Sequence, residues 1–219
     1  MKFNWYNTKA AKSTRTNHLN SGGSLGLNLN GENMIAHIWD SKKSKMGHQE
    51  FDGPGGSNRS SGGDSSSGNS THATHVTGTI IGYGAKPEAK GMAPKAKSKN
   101  YDWGADASEA QEAAANGMLI SNHSYGLLAK NIPDYWFGAY ITKSRDWDEI
   151  MYNSPYYLMV VAAGNNGNEN DYNESPLEGN KYYDKLCGHA TSKNNLVVAN
   201  GKDASVNPDG SLNLSLIHI

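Results

Sequence analysis

The stretch STHATHVTGTI, Ser70 to Ile80, sets His72 and His75 three residues apart at the start of a run of small residues. Zinc ligation, core packing and proton transfer all use histidines in this way. For proton transfer, a neutral imidazole takes a proton from a hydroxyl nucleophile when its other nitrogen is held in the right tautomer, which a buried carboxylate does well. Asp40, closing the segment HIWD, is the candidate carboxylate. In the first turn of a helix the positive dipole end disfavours imidazolium, so His72 suits the part of base better than His75, which is read as structural. An amide on a rigid strand-end loop can donate to an oxyanion that exists only after attack, and Asn165, in VVAAGNNGN, answers that description. A zinc site built on His72, His75 and Asp40 is the competing reading; it lacks the H-E-x-x-H pattern and an obvious further ligand.

These residues need elements to hold them. Met34 to Trp39 reads as a strand, and Asp40 stands at its carboxyl end. His72 to Tyr83 reads as a helix capped by Ser70 or Thr71, with Val76, Ile80 and Ile81 on one side. Lys97 to Trp103 is a strand, Asp106 to Met118 a helix, and MLISNHSYG a third apolar run; Arg145 to Tyr152 is a helix stopped by Pro155. Leu158 to Ala163 and Leu196 to Ala199 are uninterrupted runs suited to strands covered on both faces. The Gly/Ser-rich stretch from DGPGGSNRSSG through GDSSSGNS has no apolar period and is expected on the surface. Trp136, Phe137, Tyr140 and Trp147 are expected in the core or at its rim. Alternating strands and helices predict an α/β fold, a three-layer sandwich around a mainly parallel sheet. In such a sheet, working residues gather beyond the carboxyl ends of strands, where Asp40, Asn122, Ser124 and Asn165 all fall.

Composition narrows the function. With 20 basic and 21 acidic residues mixed along 219, the chain carries no footprint for nucleic acid or an anionic membrane. Its longest apolar run, Tyr156 to Ala163, is far short of the roughly 20 residues that cross a bilayer. Cys187 is the single cysteine, which rules out an internal disulfide and a thiolate metal cluster. Asn165 to Glu174 offers oxygen ligands enough for calcium but no recognised spacing, so a structural calcium has no support and no cofactor is expected.

Four segments together resemble the subtilisin-like serine peptidases. HATHVTGTI is similar to their H-G-T-H-V-A-G-T, WDSKKSKMGHQEF to their aspartate segment, NHSYG to N-x-S-x-G, and VVAAGNNG to A-A-G-N-x-G; they occur in family order, with NLVVAN following as the next strand. The Asn/Gly-rich loops and KSRDWDEIMYNSPYYLMVVAAGN look most like secreted members from Bacteroidetes-type bacteria. The resemblance implies Asp40 as orienting carboxylate, His72 as general base and acid, and Asn165 as oxyanion donor. It also implies Asn122, Ser124, Tyr125 and Gly126 as the segment that pairs with an extended peptide, by strand addition. Protein or peptide substrates and a secreted or cell-surface location follow from the same resemblance. There are departures: Ala73 replaces the usual Gly and would bring a methyl near the substrate, and Lys42 replaces a Gly two positions after the aspartate. The nucleophile motif G-T-S-M-A-x-P occurs nowhere, so no triad can be completed from these residues and the chain alone is expected to be inactive.

The expected organisation is therefore an amino-terminal arm over residues 1–30 and a peptidase catalytic domain over 31–213, incomplete at its carboxyl end. Residues 214–219, LSLIHI, read as translated sequencing adapter rather than gene. A peptide- or glycan-binding fragment or pseudo-enzyme using the same sheet edge is the alternative to a peptidase.

Overall fold

The computed structural model describes residues 7–53, 56–166, 186–201, 204–207 and 211–214. It forms two compact units: one runs to Trp103 and takes in the residues from Asn200 onward, the other spans Gly104–Ala199.

The first unit is built on three parallel strands, β1 (Ile35–Asp40), β2 (Ser60–Gly62) and β3 (Lys97–Asp102), with β3 between the other two. Five helices lie among the described residues, and three belong here: α1 (Asn7–Ser13), α2 (Thr16–Leu19) and α3 (Thr71–Ile81). Of the residues expected as an arm, those described, from Asn7 on, are fastened to the unit, Asn7 Nδ2 donating to the carbonyls of Ala89 and Lys90 and Asn20 Nδ2 to those of Leu29 and Met92. Two short antiparallel strands, β7 (Ser205–Val206) and β8 (Leu212–Leu214), complete it, with Ala204 N bonded to Ser13 Oγ. Leu214 ends β8, and the rest of the suspected adapter lies outside the described residues.

The seam between α3 and the sheet is polar, which is why periodicity misjudges it. The helix buries Ala73, Thr77 and Ile81, spaced by one turn each, rather than Val76 and Ile80, which are half-buried. Thr77 Oγ1 donates to Asn100 Oδ1 at 2.9 Å, Asn100 Nδ2 to Ser60 Oγ at 3.0 Å, and Ser98 Oγ to the same Ser60 Oγ at 2.9 Å. Every one of these groups is buried and partnered, so the seam costs little despite its polarity. The same network corrects the expectation of a surface loop: Ser60–Gly62 inside the Gly/Ser-rich stretch is strand β2, and Ser60 is buried with its hydroxyl bonded to the buried side chains of Ser44, Ser98 and Asn100. On the opposite face of β1 and β3, Trp39 and Tyr101 stack with ring centroids 4.1 Å apart. A Cβ added at Gly63 would lie 2.2 Å from the Tyr101 ring, which that stack prevents from yielding. Gly63→Ala is therefore expected to destabilise the protein by about 1–3 kcal/mol in a urea unfolding titration.

The second unit repeats the plan. Its strands β4 (Ile120–His123), β5 (Leu158–Ala162) and β6 (Leu196–Val198) are parallel, with β5 in the middle. Helices α4 (Asp106–Ala115) and α5 (Thr142–Asn153) pack against each other, and α5 also meets a 3-10 turn at Gly188–Thr191. Helix α5 starts three residues before the expected Arg145, because Ser144 Oγ accepts the Ile141 N–H and closes its first turn. Trp147 is fully buried on its inner face, and Asp148 accepts the N–H groups of Lys193 and Asn194, fixing the approach to β6. Phe137 joins Ala129, Ile132 and Cys187 in a small core with Trp136 against it, while Tyr140 remains exposed. Six parallel strands flanked by helices make the protein α/β, the class that strand–helix alternation predicts.

Candidate active site

Asp40 ends β1 on the face that meets α3 and is 1% exposed. Its Oδ2 lies 2.6 Å from His72 Nδ1, and its Oδ1 accepts the Ser41 N–H at 2.7 Å. A carboxylate can only accept, so His72 carries its proton on Nδ1 and leaves Nε2 bare when neutral. The imidazole is the second residue of α3 and 58% exposed. The result is a free Nε2 lone pair held toward solvent, with an anion behind it to stabilise the charge that arrives when it takes a proton.

Short-range chemistry locks this pair. Ser70 is extended, and its hydroxyl accepts the Ala73 N–H at 3.1 Å, capping α3. Ser41 Oγ lies 3.2 Å from Asp40 Oδ1 and 3.2 Å from Ser70 Oγ, so one hydroxyl joins the carboxylate's turn to the helix cap. Sequence reasoning missed Ser41; its place directly after the carboxylate was the available signal. The loop after β1 is fastened to α3 by Ser70 N on Lys43 O and Lys45 N on Thr74 Oγ1.

The departures from the peptidase pattern resolve in local terms. Ala73 is 1% exposed, so its methyl is packed inside the unit. Lys42 reaches Asp102 at 3.6 Å across the ends of β1 and β3, an exposed pair worth little energy that still orients the loop. His48 Nδ1 accepts the Glu50 N–H, and buried Glu50 accepts the N–H groups of Gly84, Ala85 and Lys86. His75 is exposed and lines, with His48 and Phe51, a cavity of about 500 Å³ beside α3, instead of packing in the core. Among the described residues no three His, Cys, Asp or Glu side chains converge as a metal site would require.

The other candidate residues belong to the second unit. Asn122 sits in β4 and donates from Nδ2 to Ser124 Oγ at 2.9 Å; Ser124, Tyr125 and Gly126 follow directly, with Gly126 exposed. The Tyr125 phenol donates to Asp106 Oδ2 at 2.8 Å. Asn165 lies exposed just beyond β5, after Gly164, whose φ of +108° calls for glycine. Of the oxygen-rich segment Asn165 to Glu174, residues 167–174 lie outside the described residues. The structure thus brings Asp40 to His72 within the first unit and Asn122 to Ser124 within the second.

Sequence reasoning gave no role to His123 or His189, yet both are buried among ionisable groups in the second unit. Burial, with Lys143 adding to it, pushes His189 down to about 4; burial and the neighbouring His189 and Lys143 push His123 well below the ordinary histidine range.

A strand-end carboxylate is thus bonded to an imidazole in the first turn of the helix that follows. In comparison with known proteins, residues 26–209 match the Subtilase family, and the chain belongs to it. Over 142 residues it is 30% identical to the serine protease/ABC transporter B family protein tagA of Dictyostelium discoideum, a stretch covering 61% of this chain and 8% of that protein. Among solved structures, the CspB protease of Clostridium perfringens superposes with a TM-score of 0.51 at 16% identity, covering 72% of this chain and 41% of that one, which supports the fold. A point mutant of the protease domain of PatA is 23% identical, with 64% and 53% coverage and a TM-score of 0.48. The chain therefore spans under a tenth of the curated relative and about half or less of these solved chains. No helix among the described residues is long and apolar enough to cross a membrane.

Proposed function

We propose that the chain supplies the carboxylate and the base of a serine endopeptidase that hydrolyses peptide bonds through an acyl-enzyme. The observation that carries this reading is the 2.6 Å bond from buried Asp40 to the Nδ1 of exposed His72, which leaves Nε2 as the proton acceptor. His72 Nε2 takes the proton of a serine hydroxyl as that oxygen attacks the scissile carbonyl, and Asp40 stabilises the imidazolium. The same proton then passes to the leaving amine as the tetrahedral adduct collapses to acyl-enzyme. Asn165 donates to the oxyanion, and the main chain of Ser124 to Gly126, with Asn122 holding Ser124, pairs with the extended substrate.

The nucleophile motif is not among these 219 residues, so the proposal assigns the serine to chain beyond them and expects the 219 residues alone to be inactive. Substrates are proteins or peptides, no cofactor is needed, and a location outside the cell or at its surface rests on the family resemblance. The test is labelling with a fluorophosphonate. The full-length protein is expected to react at a serine outside these residues, while the 219-residue chain stays unlabelled. An unreactive full-length protein that still binds peptide would establish the non-catalytic alternative instead.

A further inference from the structure

The second unit carries a buried chain of hydrogen bonds beneath Ser124–Gly126 whose proton directions are all fixed by chemistry. Tyr125 OH donates to Asp106 Oδ2, which can only accept, so the Tyr125 oxygen must accept from His123 Nδ1 at 2.9 Å. A neutral His123 then has a bare Nε2 and accepts from Ser121 Oγ at 2.7 Å, and Ser121, its hydrogen used, accepts from Tyr157 OH at 2.6 Å. Lys143 Nζ, 3.3 Å from Asp106 Oδ2, closes the far end with a positive charge. The phenol of Tyr125 is thereby held from below.

The main chain of Tyr125 is held as well. His189 is 1% exposed on the 3-10 turn, and its Nε2 lies 3.0 Å from the Tyr125 carbonyl oxygen. A carbonyl only accepts, so His189 is the Nε2–H tautomer; its Nδ1 meets no hydrogen-bond partner among the described residues. The turn that carries His189 is itself fixed. Gly188 O accepts from Ser144 Oγ at 2.8 Å and from Thr191 Oγ1 at 2.9 Å, and His189 O accepts from Asn195 Nδ2 at 2.7 Å. Gly188 has φ +63°, and a Cβ there would press on Leu127 at 3.2 Å. Around the His189 ring stand His123, Tyr125, Trp147, Lys143 and Asp106.

The geometry points to His189 as a positioning residue for the Ser124–Gly126 segment, an inference that rests on the peptidase reading of that segment. Ser124–Gly126 follow directly on the carboxyl end of β4. With its own carbonyl committed to His189, Tyr125 leaves the main chain of its neighbours Ser124 and Gly126 to meet a substrate strand. With the phenol on Asp106 and the carbonyl on His189, Tyr125 fixes both the direction and the height of the edge its neighbours offer. His189 touches no reacting atom; it acts through Tyr125.

The test uses the full-length enzyme with two substrates, an extended peptide that pairs with the segment and a single-residue ester that does not. His189→Ala is expected to lower kcat/KM on the peptide by about tenfold or more, chiefly through KM, since a buried carbonyl loses its donor. The ester and the fluorophosphonate rate should change by less than about twofold, and His189→Gln, whose amide nitrogen replaces the Nε2–H, should restore the peptide rate. Where the alanine variant does not fold, His189→Gln against His189→Met makes the same comparison at similar volume. Equal losses on ester and peptide, an unchanged peptide rate without the donor, or a folded glutamine variant that fails to restore it would each overturn the inference. A wild type that does not react with fluorophosphonate defeats the peptidase reading first. A reactive wild type with an indifferent His189 defeats this inference alone.

Discussion

In the full-length enzyme, His72→Ala should lower kcat for peptide hydrolysis by about 10⁶-fold and Asp40→Asn by about 10⁴-fold, with KM nearly unchanged; these scales are those measured in subtilisin itself rather than derived from this chain. The reason for the first is direct: without the imidazole nothing takes the proton from the hydroxyl. The second is subtler. Asparagine keeps the volume of Asp40 and can still accept from Ser41 N, so the fold around β1 should survive. Its amide, however, donates to His72 Nδ1, which drives the proton to Nε2 and removes the lone pair the reaction needs. Steady-state kinetics on a peptide, with circular dichroism to confirm folding, checks both. A His72→Ala enzyme of full activity would exclude this histidine as the base.

Acid should unfold the protein by way of its buried histidines. His37 and His189 are both held down to about 4, each mainly by burial, with Lys99 and Lys143 respectively adding to the effect; burial, with His189 and Lys143, holds His123 well below the ordinary histidine range. In the unfolded chain each titrates near 6.5, so between about pH 6.5 and 4 the unfolded state binds more protons than the folded one. Stability then rises with pH through that window: it is complete above about pH 6.5 and is lost as pH falls toward 4. Each histidine adds up to about 1.4 kcal/mol per pH unit while its window is open. Asp64 loses stabilisation at still lower pH, with the same sign. Burial would raise its carboxyl, but its bonds from Ser66, Asp102 N and Lys43 outweigh that and hold it below the usual range. Urea titrations from pH 8 to 4.5 should show a plateau followed by a steep fall, and His189→Gln should make the fall shallower. Stability that stays flat to pH 4.5 would contradict the buried neutral state.

How much of this was legible in the sequence varied with the kind of interaction. Helix α3, its Ser70 cap and the strand ending at Asp40 are local features, written in spacing and in cap chemistry, and they stand within a residue or two of where the sequence puts them. Strand alternation then makes the Asp40–His72 meeting a geometric consequence, because the residue that ends β1 faces the helix that follows. Strand β2 was illegible for the opposite reason: SSG has no apolar signal, and its place depends on Ser98 and Asn100 some forty residues away. The inner face of α3 was misjudged likewise, since Thr77 is buried by one hydrogen bond to Asn100 and not by hydrophobicity. The Tyr157 to Asp106 chain draws its members from α4, β4 and the approach to β5. Nothing in the local sequence around His123 or His189 announces that they meet at Tyr125.

The central claim is that Asp40 holds His72 as the Nδ1–H tautomer with a free Nε2. Nitrogen-15 NMR of the histidine side chains reads this directly, in the wild type and in Asp40→Asn. The account predicts a His72 ring protonated at Nδ1 and bare at Nε2 in the neutral wild type, reversing to Nε2–H in Asp40→Asn. A His72 that shows the same tautomer mixture in both proteins, as a free imidazole would, contradicts it.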